Sequence, residues 1–187
     1  MQTLLRRLAA LGIALAALFS LFPCQTHAVS TSASSAILMD VDSGRGLYEQ
    51  NADAKMLIAS TTKILTALVA IREGDLNDVV TVSREAAYTE GSSMYLKAGE
   101  ELTLETLLYG LLLCSGNDAA VAIADHVGGS QEGFVRMMNE TAQELGMENS
   151  SFANPNGLDH EDHYSTARDM ARLACAAVNN ETLGRIA

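Results

Sequence analysis

Apolar residues near the start of the chain fall in short runs that predict strands. Residues 36–39 and 47–49 are two such runs, and residues 40–46 between them contain two glycines. Two short apolar runs on either side of a glycine-containing turn are typical of a β-hairpin. Residues 79–82 are also strand-like, and residues 83–99 are rich in turn-forming types. The pattern therefore predicts one hairpin and one further strand.

From residue 61 onward, apolar residues recur every three or four positions, which is the period of a helix with one buried face. The first predicted helix ends at Gly74, because glycine is a common residue just beyond a helix end. Thr103 and Thr166 are expected N-caps of later helices, since a threonine hydroxyl can accept from a free backbone N–H. These later helices are predicted at residues 104–113, 118–127, 131–145 and 167–178.

This inventory of elements places the chain in the α/β (α+β) class. A two-stranded sheet is marginal in water by itself, and the apolar face of a hairpin needs more sheet or a covering helix. We therefore expect an incomplete fold: an N-terminal β-hairpin plus a helical region, with the later strands of a larger sheet missing.

The first residues have the pattern of a targeting segment. Arg6 and Arg7 precede an apolar run at residues 8–22, and Thr26-His27-Ala28 follows with small residues at a cleavage position. The run is short for a membrane span, which needs about 20 residues. We predict a signal peptide at residues 1–28 and one domain at residues 29–187, with a retained signal anchor as the alternative.

Charge and cysteine content exclude several functions. The formal net charge is -11, and nucleic acid is therefore excluded as a partner, because it needs a basic surface. Cys114 and Cys175 are too few for the disulfide framework of an exported protein. We expect both to be buried free thiols in helices, with a single bridge between them as the alternative.

Ser60 and Lys63 are the first residues whose pattern points to catalysis. Three positions apart near the start of a helix, they share a face, so the amine can reach the hydroxyl. Apolar neighbours disfavour the ammonium and lower its pKa, which would make Lys63 a base for a nucleophilic Ser60. Backbone N–H groups at the helix start could stabilise an oxyanion.

A structural explanation of this pair is open at this point. Ser60 could cap the helix while Lys63 extends its amine to water. With 15 serines and three lysines in the chain, a Ser-x-x-Lys arises by chance in about one such chain in four. The pair alone does not decide between the two explanations.

A second polar group, Ser115-Gly116-Asn117, lies at the junction of two predicted apolar helices. A tight turn there would present both side chains to solvent. Alternatively, Ser115 or Asn117 caps the helix that begins near Asp118.

Taken together, Ser60-Thr61-Thr62-Lys63 and Ser115-Gly116-Asn117 resemble two of the three motifs of penicillin-binding proteins and serine β-lactamases. The surrounding sequence is most similar to the low-molecular-weight D-alanyl-D-alanine carboxypeptidases over about residues 35–178. The stretches that carry this resemblance include Leu112–Ala119, Asn154-Pro155-Asn156-Gly157-Leu158-Asp159 and His163–Asp169.

The resemblance implies a serine β-lactamase/DD-peptidase-like fold and a role for each motif residue. Ser60 would attack the carbonyl of the penultimate D-alanine, and Lys63 would take its proton. Ser115 would pass a proton to the leaving D-alanine, and Asn117 would bind the substrate backbone. The implied partners are peptidoglycan stem peptides ending in D-Ala-D-Ala, with β-lactams as covalent inhibitors, and no cofactor is implied.

The third family motif, Lys-Thr-Gly, does not occur in the 187 residues. Its lysine would bind the substrate carboxylate, and its strand would supply an oxyanion N–H. We therefore expect the chain to be the amino-terminal part of the catalytic domain, truncated before that strand. Membrane association would require a further C-terminal part.

Other functions share parts of this pattern. A class A β-lactamase would need Glu-x-x-x-Asn after residue 118, and this spacing does not occur. An endopeptidase, a transpeptidase or an inactive wall-binding remnant of the same superfamily stays open. A metal site is the rival from another class, formed from Asp159, His160, Asp162 and His163.

Overall fold

The computed structural model describes residues 31–187. The predicted signal peptide, residues 1–28, lies outside them. No helix in the described part of the chain has both the length and the apolar content to cross a bilayer.

The predicted hairpin is present as strands β1 (Ala36–Met39) and β2 (Gly46–Gln50), which pair antiparallel. Asp40 closes the turn, because its backbone N–H donates to Arg45 O and its carbonyl accepts from Gly44 N, each at 2.9 Å. Gly44 has φ +67, which an L side chain rarely adopts.

A second two-stranded sheet was only half predicted. Strand β3 (Val79–Thr81) pairs antiparallel with β4 (Glu101–Thr103). The sequence of β4 did not indicate a strand, because it has three residues and one apolar side chain. Val80 on β3 is 1% exposed and joins the main core, so this small sheet covers one side of the helices.

The helices follow the prediction closely. Two short ones were not predicted, because four and six residues do not establish a period. The helices are α1 (Thr62–Glu73), α2 (Arg84–Ala87), α3 (Leu104–Leu113), α4 (Asn117–Gly128), α5 (Gln131–Glu144), α6 (Ala167–Val178) and α7 (Glu181–Ile186).

Both predicted N-caps are confirmed. The Thr103 side chain accepts from Thr106 N at the start of α3, and the Thr166 side chain accepts from Asp169 N at the start of α6. These hydrogen bonds satisfy backbone donors that have no partner within a helix.

Helix α4 is the centre of the core and contacts α1, α2, α3 and α5. All of its first eight residues are buried. Four of them are alanines, and such small side chains allow neighbouring helices to approach closely. The start of α4 is thereby fixed beside α1, which determines where Asn117 points.

Arg168, on α6, ties the hairpin to the helices. Its guanidinium bonds both carboxylate oxygens of Glu49, at 2.9 and 2.6 Å, and both of Asp53, at 2.7 and 3.1 Å. The hydrogen bonds from this guanidinium lower the pKa of both carboxyls. The hairpin is thus attached through charge-assisted bonds rather than through a deep apolar face.

The prediction that both cysteines are buried is wrong. Both are free, but Cys114 is exposed and Cys175 is half-buried. Cys114 is the C-cap of α3, where the buried face of the helix has already ended.

Candidate active site

Ser60 lies in a single 3-10 turn, Ala59–Thr61, which leads directly into α1. The turn starts with a strained residue, since Ala59 has φ +45. Ser60 is exposed, and no side chain caps either the turn or α1. The alternative that Ser60 is a helix cap is therefore wrong.

Lys63 is 2% exposed, so the alternative in which its amine extends to water is also wrong. Its Nζ donates to Ser60 Oγ at 3.2 Å, to Asn117 Oδ1 at 2.8 Å and to the backbone carbonyl of Asn156 at 2.7 Å. Three acceptors match the three hydrogens of an ammonium group.

Burial also changes the charge state of Lys63. It lowers the pKa of the amine from 10.5 to about 8. At pH 7 roughly a tenth of the amine is then neutral, against less than about a thousandth for an ordinary lysine. A neutral Nζ at this distance can accept the Ser60 proton, so the geometry and the pKa both suit a general base.

Ser115 and Asn117 lie on either side of Gly116, which is the N-cap of α4 and caps it with no side-chain hydrogen bond. The alternative that Ser115 or Asn117 serves as the cap is therefore wrong. Ser115 has φ +53 and is half-buried. It lines a cavity of about 310 Å³ together with Ser60 and Lys63. Its hydroxyl is not among the three acceptors of Lys63.

The Asn117 side chain joins the lysine to the segment that contains Glu90. Its Oδ1 accepts from Lys63, and its Nδ2 donates to the backbone carbonyl of Glu90 at 2.7 Å. One hydrogen of Nδ2 remains for another acceptor. The substrate-binding role implied for Asn117 by the resemblance thus rests on that one hydrogen.

Asp118 holds the loop that directly follows Glu90. Its carboxylate accepts from Ser93 Oγ at 2.6 Å and from the backbone N–H groups of Met94 and Leu96, each at 3.1 Å. Asp118 is completely buried. Burial raises the pKa of this carboxyl, but the hydrogen bonds together outweigh it, so the pKa lies below its ordinary value.

Residues 154–157 had no predicted role, yet they lie against Ser60 and Lys63 in the structure. Asn156 O accepts from Lys63, and Pro155 O accepts from Thr66 Oγ1 at 2.6 Å. Gly157 N donates to Asn154 Oδ1 at 2.7 Å. The Asn-Pro-Asn-Gly stretch carries turn-forming residues, and this turn chemistry is the signal that indicates a constrained loop here.

Gly157 permits the close approach of this loop to the turn that carries Ser60. It has φ +87, and a Cβ there would lie 2.0 Å from the carbonyl oxygen of Ala59. Gly157→Ala should therefore push Ala59 away, displace Ser60, and destabilise the fold by about 1–3 kcal/mol. Urea denaturation measures the stability.

The matched control is Gly99→Ala, since Gly99 also has a positive φ, +82, but nothing within 4 Å of its Cβ position. It shares the backbone strain without the clash. Equal destabilisation by the two substitutions would contradict the importance of the contact at Ala59.

Ser60 opens into a cleft of about 500 Å³. Its walls come from four segments of the chain, residues 59–60, 90–92, 117 and 156–159, and Glu90 and Asp159 make two of them acidic. The lining residues are Ala59, Ser60, Glu90, Gly91, Ser92, Asn117, Asn156, Gly157, Leu158 and Asp159.

The geometry does not favour the metal-binding alternative. His163 is 1% exposed, and both of its ring nitrogens have protein partners, Thr62 Oγ1 at 2.7 Å and Ala153 N at 3.1 Å. A histidine ligand needs a free lone pair, which this ring lacks. His160 is exposed, and its Nδ1 accepts from Asp162 N at 3.1 Å.

Comparison with known proteins gives one consistent family. The D-alanyl-D-alanine carboxypeptidase family model matches residues 23–186. D-alanyl-D-alanine carboxypeptidase DacF of Bacillus subtilis (strain 168) is 42% identical over 164 residues, which cover 85% of this chain and 42% of DacF.

Solved structures agree with this result. The D-alanyl-D-alanine carboxypeptidase from Mycobacterium tuberculosis H37Rv superposes with a TM-score of 0.82 at 36% identity, over 88% of this chain and 62% of that one. Penicillin binding protein 6B from Escherichia coli has a TM-score of 0.81 at 33% identity, over 88% of this chain and 56% of that one.

The chain spans about two fifths of the length of the DacF relative. Within that span the match extends from before the hairpin to the last helix and includes Ser60, Lys63, Ser115 and Asn117. The chain belongs to the D-alanyl-D-alanine carboxypeptidase family, peptidase family S11.

Proposed function

We propose that the protein is a serine-type D-alanyl-D-alanine carboxypeptidase, which removes the terminal D-alanine of peptidoglycan stem peptides through an acyl-enzyme on Ser60. One observation carries the proposal: a lysine amine that is 2% exposed lies 3.2 Å from the hydroxyl of an exposed serine. Burying an amine costs free energy, and a buried amine beside a serine hydroxyl can activate that serine as a nucleophile.

The reaction begins when neutral Lys63 takes the proton of Ser60 Oγ as this oxygen attacks the penultimate D-alanine carbonyl. An ester to Ser60 forms, and the C–N bond to the terminal D-alanine breaks. Ser115 gives its hydroxyl proton to the leaving amine and takes up the proton that Lys63 removed from Ser60, so that Lys63 becomes neutral again. Water then hydrolyses the ester and restores Ser60. β-Lactams acylate Ser60 in the same way, because their amide resembles the dipeptide end.

The carboxylate of the substrate needs a further partner. In the family this partner is the lysine of Lys-Thr-Gly, which the 187 residues do not contain. We propose that these residues carry the acylation chemistry but bind substrate weakly, and that they release D-alanine slowly at most. An endopeptidase or transpeptidase uses the same centre with another substrate or acceptor.

The proposed substrate fixes the location of the activity. Peptidoglycan lies outside the cytoplasmic membrane, so we propose that residues 1–28 act as a signal peptide and that the protein works on the outer side of that membrane. The net charge of -11 disfavours binding to nucleic acid, which is itself negatively charged.

A fluorescent penicillin tests the proposal. Incubation with the 187-residue chain should give a covalently labelled protein that survives denaturation, and an excess of a peptide ending in D-Ala-D-Ala should slow the labelling. A matched peptide ending in L-Ala-L-Ala should not. A folded chain that takes no label at any penicillin concentration contradicts the proposal.

A further inference from the structure

His163 is a buried titratable residue that has no part in the reaction described above. It lies in the segment between residue 160 and the start of α6, with 1% of its surface exposed. The ring meets Phe152 edge-on, with 5.6 Å between the ring centroids and an interplanar angle of 87°. Its two nitrogens connect two different parts of the candidate active site.

The hydrogen bonds fix the tautomer of this ring. The backbone N–H of Ala153 donates to Nδ1 at 3.1 Å, so Nδ1 carries no proton. The proton of the neutral ring is therefore on Nε2, which donates to Thr62 Oγ1 at 2.7 Å. Burial lowers the pKa of His163 below its ordinary value, which is consistent with a neutral ring.

Both partners of His163 belong to segments that contact or carry Lys63. Thr62 is the first residue of α1 and precedes Lys63 directly. Ala153 begins the segment whose Asn156 carbonyl accepts from Lys63 Nζ and whose Gly157 lies against Ala59. The imidazole therefore spans the gap between the helix that carries the lysine and the loop that covers it.

We propose that His163 is a positioning residue, whose neutral imidazole holds the 153–157 loop against α1 and so keeps Lys63 buried on the Asn156 carbonyl. Thr66 Oγ1, which donates to Pro155 O, is a second attachment of the same loop one turn further along α1. That a buried Lys63 speeds acylation of Ser60 rests on the proposed function. The position of the loop does not.

Two substitutions separate this role from simple space filling. In His163→Leu an apolar side chain fills the space but leaves Ala153 N–H and Thr62 Oγ1 without their partner. In His163→Gln the amide can accept from Ala153 N–H and donate to Thr62 Oγ1, as the ring does. His126→Leu is the matched control, because His126 is an exposed histidine on α4 whose recorded partner is Asp78.

The test is the pKa of Lys63, measured from the pH dependence of its 13Cε resonance in the 187-residue chain. The wild-type chain and the His126→Leu variant should both titrate near 8. His163→Leu should raise the pKa towards 10.5, because the loop no longer shields the amine. His163→Gln should restore the low value.

An unchanged Lys63 pKa in folded His163→Leu overturns the proposal, and so does a failure of His163→Gln to restore it. If His163→Leu does not fold, the 15N shifts of the wild-type imidazole decide the matter, since a proton on Nδ1 at pH 7 contradicts the assigned bonds. This readout needs no reaction with penicillin, so a chain that takes no label refutes the proposed function and leaves this test intact.

Discussion

Replacing Ser60 by alanine abolishes covalent labelling of the chain by a fluorescent penicillin. The hydroxyl is the only atom of the site proposed to form a bond with the ligand, and alanine removes it while leaving Lys63 its two other acceptors, Asn117 Oδ1 and Asn156 O. We expect the labelling rate to fall by about 10³-fold or more. In-gel fluorescence after denaturation measures it.

Ser92→Ala is the matched control, because Ser92 is another exposed serine in the same cleft. Its labelling rate should stay close to that of the wild-type chain. Unchanged labelling of Ser60→Ala would show that another residue is acylated and would remove the basis of the proposed mechanism.

Replacing Lys63 by methionine should have an effect of similar size on acylation. Methionine has about the same length but cannot take the Ser60 proton, so the rate should fall by about 10³-fold. In the wild-type chain the rate should rise with pH through about 8, because the amine must lose its proton before it can act as the base. Lys63→Met should lose this dependence.

The same substitution should change how stability depends on pH. The folded pKa of Lys63, about 8, lies below the value of 10.5 that it has when unfolded. Between these two pH values the unfolded chain binds more protons, so stability rises with pH across the window and does not change through this group below it. Urea denaturation of the wild-type chain and of Lys63→Met at several pH values measures this effect. The contributions of all other titrating groups cancel in the difference between the two free energies of unfolding.

Lys97→Met controls for the loss of a positive charge, since Lys97 is exposed. It should leave the labelling rate unchanged. An acylation rate in Lys63→Met within tenfold of the wild-type value would show that Lys63 is not the base.

Much of the fold was predictable because local rules and burial agree along this chain. The period of apolar residues and the capping hydroxyls of Thr103 and Thr166 placed the helices to within a residue or two. Strand β4 was not predictable, because its three residues are defined by pairing with β3 and not by their own pattern. Tertiary contacts decide such short elements.

The site shows a similar division. The spacing of Ser60 and Lys63 allowed their side chains to meet but left the helix-cap alternative open, and only the family resemblance and the structure decided between them. The third acceptor of the lysine is the backbone carbonyl of Asn156, and a carbonyl leaves no mark in the sequence. The partners of His163 are likewise 101 and 10 residues away, so no local pattern could have joined them.

Several buried residues around Lys63 have polar groups that bind its amine or hold the loop that covers it. Asn117, Asn156 and Thr66 lie at 5%, 5% and 0% exposure. Asn117 and Asn156 supply oxygens to the amine, and Thr66 binds the loop that carries Asn156. In the described residues no buried side-chain nitrogen or oxygen lacks a partner. A buried polar network of this kind is stable only when all of its members are satisfied.

The position of the penicillin adduct tests most directly whether Ser60 is the nucleophile. The 187-residue chain is incubated with benzylpenicillin at pH 8, digested, and analysed by peptide mass spectrometry. We expect one adduct, on the peptide that contains Ser60, and its rate of formation should fall as the pH is lowered. An adduct on any other residue, or a folded chain that gains no mass, would contradict it.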